Sequence, residues 1–133
     1  MSLTLNQLLS GAPPAIYRLR SRARPTTIAQ ALTQPGWRCF YLDGRAIDGK
    51  AAFLAAAAQA MQFPSYFGHN WDAFEECIND LAWAPAHGYA LLYDHSARFA
   101  RAAPAEWDTA RAILEDAVAR WHASGTPLYV LLR

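Results

Sequence analysis

Residues 64–81 read PSYFGHNWDAFEECINDL, and this stretch joins a loop to a helix. Its first half is rich in Pro, Ser, Gly and Asn, which are typical of loops. Asn70 also suits the N-cap of a helix, because its side-chain oxygen can accept a hydrogen bond from an amide of the first turn. The pattern therefore predicts a loop over residues 63–70 and a helix from Asn70 to about Trp83, with Pro85 closing it.

Successive residues of a helix turn by about 100°, so the predicted helix has two different faces. One arc is apolar and is expected to be buried: Trp71, Phe74, Cys77, Ile78 and Leu81. The opposite arc holds no basic residue and forms an acidic stripe: Asp72, Glu75, Glu76, Asn79 and Asp80. Acids four residues apart repel each other, and each such pair costs a few tenths of a kcal/mol in an isolated helix. A stripe that costs stability indicates a partner rather than a plain solvated face.

A row of carboxylates on one helix can serve three kinds of chemistry. A calcium or magnesium site usually draws ligands from a loop or from several segments, and the sequence has no EF-hand spacing. A general acid–base pair needs two carboxylates that face each other across a cleft, whereas neighbours on one helix point the same way. The third kind is a surface for a cationic partner, and we favour it because Tyr66, Phe67 and Asn70 flank the stripe.

Working outward, the sequence predicts strands that alternate with helices. Strands are expected over residues 15–23, 37–42, 89–93 and 128–132, from period-two alternation or short apolar runs. Helices are expected over residues 28–33, 50–62 and 105–123, each bounded by Pro or Gly signals. Short apolar strands interleaved with helices indicate an α/β fold with a small parallel-rich sheet.

Composition and charge exclude several classes of protein. The 133 residues are 53% hydrophobic and 17% charged, which fits one soluble domain. No uncharged apolar stretch reaches the ~18 residues of a membrane span, and residues 1–10 lack the pattern of a signal peptide, so we expect a cytoplasmic protein. Cys39 and Cys77 lack zinc-site spacing and are expected to be buried free thiols. Charge is segregated, with a net +5 over residues 1–50 and −5 over residues 51–97.

The stretch from Pro64 to Phe74, followed by Glu76, resembles the signature of the barstar family of intracellular ribonuclease inhibitors. Residues 41–44, 89–94 and 125–132 are similar to that family's first-strand ending, middle strand and closing glycine-plus-strand. The resemblance covers residues 37–133 and implies a three-stranded parallel sheet packed by helices. Residues 1–36 lie outside it, and we expect them to form an extra strand and helix that pack on or flank this domain.

The resemblance also implies a function. It implies an inhibitor with no catalytic residues, metal or other cofactor, which plugs the cationic active site of a small secreted microbial ribonuclease of the barnase type. Tyr66 would pack on the base-recognising region of the enzyme, while Asp72 and Glu76 would place carboxylates where substrate phosphates sit. The full predicted binding set is Tyr66, Phe67, Gly68, Asn70, Asp72, Glu75, Glu76, Asn79 and Asp80. Three residues depart from the type inhibitor: Glu76 replaces a shorter Asp, Glu75 occupies the place of an aromatic interface residue, and Arg120 lies near the place of a peripheral acid.

A second hypothesis stays open for the arginines near the amino end. Arg18, Arg20, Arg22 and Arg24 alternate along the chain and could line one face of an added edge strand. There they would serve a non-inhibitory RNA-associated or protein-interaction module that keeps the domain only as a fold. The plainer interpretation is a solvated edge whose charges discourage strand pairing, so direct nucleic-acid binding is not expected. An enzyme is not expected either, because the sequence has no nucleophile elbow and no Gly-rich phosphate loop.

Overall fold

The sheet of this protein is entirely parallel. The computed structural model describes residues 1–33 and 35–133, which contain five strands and six α-helices. The strands are β1 (Ser2–Thr4), β2 (Ile16–Arg20), β3 (Trp37–Asp43), β4 (Gly88–Asp94) and β5 (Leu128–Leu132), in the spatial order β1-β2-β5-β4-β3. The helices are α1 (Leu5–Leu9), α2 (Pro25–Leu32), α3 (Lys50–Ala60), α4 (Trp71–Asp80), α5 (Ser96–Ala102) and α6 (Pro104–Ala123). The predicted α/β class with a parallel sheet is confirmed.

The sheet has five strands rather than three, because β1 and β2 extend the three strands of residues 37–133. The strand predicted over residues 15–23 is β2, whereas β1 was not predicted. β2 pairs with β5, and β1 pairs with β2, so β2 is not the edge strand that the arginine hypothesis assumed. The sequence prediction also omits β1, α1 and α5. These elements have only three, five and seven residues, which is too short for a periodic pattern to form.

The helix α4 begins where its sequence predicts and ends earlier. Asn70 is its N-cap, and the last helical residue is Asp80 rather than Trp83. Leu81 takes a left-handed backbone conformation with φ of 50°, which terminates the helix. The Leu81 side chain is buried in the core, and this burial offsets the cost of a conformation that non-glycine residues rarely adopt.

Side chains alternate between the two faces along each strand, and both faces carry apolar residues. Helices therefore pack on both faces of the sheet. The larger core lies under α3, α4, α5 and α6 and includes Phe40, Leu91, Tyr93 and Val130 from the sheet. The smaller core lies under α1 and α2 and includes Tyr17, Leu19, Leu92 and Leu131. The central strand β4 is buried along its whole length, as its continuous apolar run predicts.

A buried ion pair joins three strand ends at the carboxyl edge of the sheet. Asp94 accepts hydrogen bonds from the Nε and Nη2 atoms of Arg133 at 2.6 and 2.9 Å, and from the Tyr41 hydroxyl at 3.0 Å. The Nη1 atom of Arg133 donates to the carbonyl oxygens of Ser21 and Ala23 at 3.2 and 2.6 Å. The turn after β2 is therefore tied to the ends of β4 and β5.

The two cysteines differ in exposure. Both are free thiols, and Cys77 is buried as predicted, whereas Cys39 is only partly buried. Desolvation raises the pKa of the Cys39 thiol to about 11. Within residues 1–33 and 35–133, we find no helix with the length and apolar character to cross a membrane.

Candidate functional site

The junction between the loop and α4 is fixed by its own hydrogen bonds. The Oδ1 atom of Asn70 accepts from the amide of Ala73 at 2.8 Å, and its Nδ2 atom donates to the carbonyl of Gly68 at 3.3 Å. A Cβ at Gly68 would lie 3.0 Å from the same Nδ2 atom, so a side chain there would press on the cap. The start of α4 is thus determined by nearby sequence: Asn70 is the N-cap, and Gly68, two residues earlier, leaves room for the Asn70 side chain.

Both ends of α4 are attached to α6 through indole hydrogen bonds. At the start of α4, the Trp71 Nε1 atom donates to Glu106 Oε2 at 3.0 Å. The Lys50 ammonium lies 5.8 Å from the centroid of the same indole, within the range of a cation–π contact. At the other end, the Trp121 Nε1 atom donates to the carbonyl of Ile78 at 2.9 Å. Helix α4 is therefore held rigidly against the core.

Sequence reasoning missed Glu106 and Lys50 as supports of the site. Glu106 lies 35 positions after Trp71, and Lys50 lies on the preceding helix. Neither spacing falls within one helix or strand, so no local pattern could have indicated these contacts. The one available signal was Trp71 itself, since a half-buried indole N–H usually has a hydrogen-bond acceptor.

The acidic stripe lines an open cavity of about 540 Å³. The structure brings together five predicted residues there, with one arginine from α6: Asp72, Glu75, Glu76, Asn79, Asp80 and Arg120. The four carboxylates are exposed, and none lies within 4.0 Å of a cationic group in the part of the chain that is described. Arg120 is instead paired with Asp116 at 2.8 Å. The stripe therefore offers acceptors whose charge is not neutralised within the chain.

The four predicted loop residues fall into two groups. The side chain of Tyr66 is 71% exposed, and Gly68 and Asn70 are also exposed. Partial desolvation, followed by nearby negative charge, raises the pKa of the Tyr66 phenol. Phe67 is buried, with its ring centroid 5.0 Å from that of Phe63. The Phe67 ring therefore supports the loop from below, while Tyr66 stands at the surface.

The arrangement is suited to binding cationic groups. Carboxylates accept hydrogen bonds from arginine, lysine and histidine, and a carboxylate can receive two parallel bonds from one guanidinium. Over residues 1–33 and 35–133, no three His, Cys, Asp or Glu residues are grouped so that they could hold a metal ion. The cavity contains no Ser, Thr, Cys or His that could serve as a nucleophile or base.

The arginines of the second hypothesis do not line this cavity. Arg18 and Arg20 are exposed on β2, on the opposite face from the buried Tyr17 and Leu19. Arg22 and Arg24 are exposed in the segment after β2. Within the described ranges, none of the four forms an ion pair with a carboxylate.

A family model described as "Barstar (barnase inhibitor)" matches residues 37–133. No curated protein matches the chain in a sequence search. The matched range begins at β3 and contains α4, the loop before it and all residues of the cavity.

Proposed function

The chain belongs to the barstar family, and on that premise we propose that it inhibits a small microbial ribonuclease of the barnase type. In this proposal α4 and the preceding loop cover the cationic active site of the enzyme. One observation carries it: four exposed carboxylates of α4 lie together without a cationic partner in the described part of the chain.

The charge of α4 supports binding to an RNA-cleaving site. Such a site binds phosphates with Arg, Lys and His side chains, so it carries positive charge that carboxylates can neutralise in place of RNA. Asp72 and Glu76 are one helical turn apart, which sets their Cβ atoms about 5–6 Å from each other. They would occupy the positions of substrate phosphates, and Asp80 and Asn79 would extend the same contact.

The rigidity of α4 supports tight binding. Ordering flexible side chains and loops at an interface costs free energy, so a surface held in its bound conformation beforehand gains affinity. Hydrogen bonds from Trp71 and Trp121 hold α4, and Asn70 holds the loop. Tyr66 supplies an exposed aromatic side chain, a residue type that often anchors protein interfaces.

Arg120 limits which enzymes would fit. It lines the same cavity as the acids, and it pairs with Asp116 through an exposed contact that contributes little. A partner with a uniformly cationic rim would place like charge against Arg120, which is unfavourable at an interface. We therefore propose a ribonuclease whose rim carries an acidic or neutral group opposite Arg120.

Calorimetric titration against a panel of barnase-type microbial ribonucleases tests the proposal. We expect 1:1 binding to at least one member, weaker at moderate than at low salt, because salt screens the attraction between exposed charges. The double variant Asp72→Ala/Glu76→Ala should lose this binding and still fold. The control Asp108→Ala/Glu115→Ala removes the same charge from exposed positions of α6 and should still bind. Binding that survives in the first variant contradicts the assigned surface, and no binding to any member contradicts the target class.

A further inference from the structure

A second cleft lies at the carboxyl edge of the sheet, and none of the residues that line it belongs to α4. Because all strands are parallel, the segments that follow β3 and β4 leave the sheet at the same edge. The short 3-10 helix Gly44–Ala46 follows β3, and α5 follows β4. Between them is an open cleft of about 630 Å³, whose polar lining is Arg45, Asp48, His95, Arg98 and Arg101. None of these residues belongs to the predicted ribonuclease-binding set.

The cleft carries excess positive charge with free donors. The Nε and Nη2 atoms of Arg45 donate hydrogen bonds to the Asp43 carboxylate. The Nη1 atom of Arg45 does not bond to Asp43 and can still donate to a ligand. The closest carboxylate oxygen to Arg98 belongs to Asp48 at 3.9 Å, too far for a hydrogen bond. Arg101 has no carboxylate within 4.0 Å in residues 1–33 and 35–133. Arg45, Arg98 and Arg101, set against the carboxylates of Asp43 and Asp48, thus leave a net charge of +1, and the guanidinium groups of Arg98 and Arg101 have no hydrogen-bonded carboxylate in the described residues.

The backbone around the cleft is held in an unusual arrangement. A Cβ at Gly44 would overlap the carbonyl oxygen of Asp94 and lie 3.0 Å from that of His95, so the two walls approach closely only because residue 44 is glycine. His95 has a left-handed backbone with φ of 57°, which non-glycine residues adopt rarely. This conformation turns the chain from β4 directly into α5, which carries Arg98 and Arg101.

The chemistry of the lining selects the class of ligand. Guanidinium groups bind phosphate oxygens through paired N–H donors, and arginine is enriched where phosphate is recognised. A volume of this size lies within the range of small-molecule sites, about 300–1,000 Å³.

We propose that this cleft binds a ligand with a diphosphate group, held by Arg45, Arg98 and Arg101. The inference is independent of ribonuclease binding, because the two cavities share no lining residue. The diphosphate can come from inorganic pyrophosphate or from a nucleoside diphosphate, and both sources present the same group to the guanidiniums.

Amide chemical-shift titration of the ¹⁵N-labelled full chain tests this proposal. Sodium pyrophosphate and ADP are added in separate titrations, with ionic strength held constant by sodium chloride. We expect saturable shifts confined to residues 44–48 and 95–102 with both ligands. Tighter binding of ADP, with further shifts beside the cleft, would identify a nucleotide, and equal affinity would identify the diphosphate alone.

Two matched variants decide whether the arginines are responsible. Arg98→Gln/Arg101→Gln should weaken pyrophosphate binding by at least about tenfold, because it removes two charge-assisted donors. Arg111→Gln/Arg120→Gln removes the same charge from α6 and should leave the affinity unchanged. The single variant Arg101→Gln is a folding control. Arg101 has no carboxylate within 4.0 Å in the described residues, so this variant should fold normally and still bind pyrophosphate more weakly than the wild type. Shifts that do not saturate, shifts spread over all arginines, or equal affinity in the two double variants would overturn the proposal.

Discussion

Replacing Arg133 by Ala should be among the most destabilising single changes in this chain. The side chains of Arg133 and Asp94 are only 18% and 9% exposed. Arg133→Ala would leave the Asp94 carboxylate with the Tyr41 hydroxyl as its remaining side-chain donor. It would also remove the side-chain donor that binds the carbonyl oxygens of Ser21 and Ala23.

The size of the loss follows from this burial. Removing one partner of a buried ion pair costs about 3–5 kcal/mol, because the other charge stays in a poorly solvated place. Arg133 is partly exposed, so we expect about 3 kcal/mol, at the lower end of that range. For a domain of this length the same loss corresponds to a Tm lower by roughly 10 °C.

Urea denaturation followed by tryptophan fluorescence measures this free energy of unfolding. Arg45→Ala is the matched control, because Arg45 also pairs with an aspartate, at 2.7 Å, but its side chain is 74% exposed. The control should lose less than about 1 kcal/mol. Adding Asp94→Asn to Arg133→Ala should recover part of the loss, because the unpaired charge is then removed.

A second readout locates the effect. Without Arg133 the turn after β2 loses its attachment, so trypsin should cleave after Arg22, between Arg22 and Ala23, faster than in the wild-type protein. The reasoning is refuted if Arg133→Ala costs no more free energy than Arg45→Ala, or if the rate of cleavage after Arg22 is unchanged.

Three further outcomes are expected. Glu106→Ala should lower the free energy of unfolding by about 1–2 kcal/mol and shift the fluorescence of Trp71, because the indole N–H loses its acceptor. Glu106→Gln keeps an acceptor and should lose less. Equal losses in the two variants would exclude the hydrogen bond as the cause. Burial and the hydrogen bond to Asp94 raise the pKa of Tyr41 to about 12. The pKa of Tyr41 is therefore higher in the folded protein, at about 12, than in the unfolded chain, at about 10. The neutral phenol adds to the free energy of unfolding at pH values below about 10, and this contribution is lost as the pH rises through about 12. Tyr41→Phe should reduce the fall in stability measured by urea titration between pH 9 and 11, and an unchanged fall would contradict this. Burial raises the pKa of Cys39 to about 11. At pH 8 the folded protein therefore holds less of the reactive thiolate, and Cys39 should react with a disulfide reagent about 100-fold more slowly in the folded protein than in the protein unfolded by urea. Equal rates in the two states would contradict this prediction.

Features set by local sequence were predictable from the sequence. The N-cap at Asn70 and the two faces of α4 depend on spacings of a few residues, so the pattern alone indicates them. The buried run of β4 is equally local, since it needs only a continuous apolar segment of strand length.

Features set by tertiary contact were not predictable. The end of α4 at Asp80 depends on the burial of Leu81, and no residue near it signals a left-handed conformation. The hydrogen bond from Trp71 to Glu106 and the ion pair of Asp94 with Arg133 join distant parts of the chain. The cleft at the carboxyl edge exists because the parallel topology brings the segments after β3 and β4 together.

Inhibition of RNA cleavage tests the role of α4 most directly. The wild-type chain is titrated into a barnase-type ribonuclease of the panel while cleavage of an RNA substrate is followed. We expect cleavage to fall to zero at a 1:1 ratio with the wild type and with Asp108→Ala/Glu115→Ala, and to continue with Asp72→Ala/Glu76→Ala. Equal inhibition by both double variants, or cleavage that the wild type leaves unchanged in every ribonuclease of the panel, would contradict the assignment of α4 as the inhibitory surface.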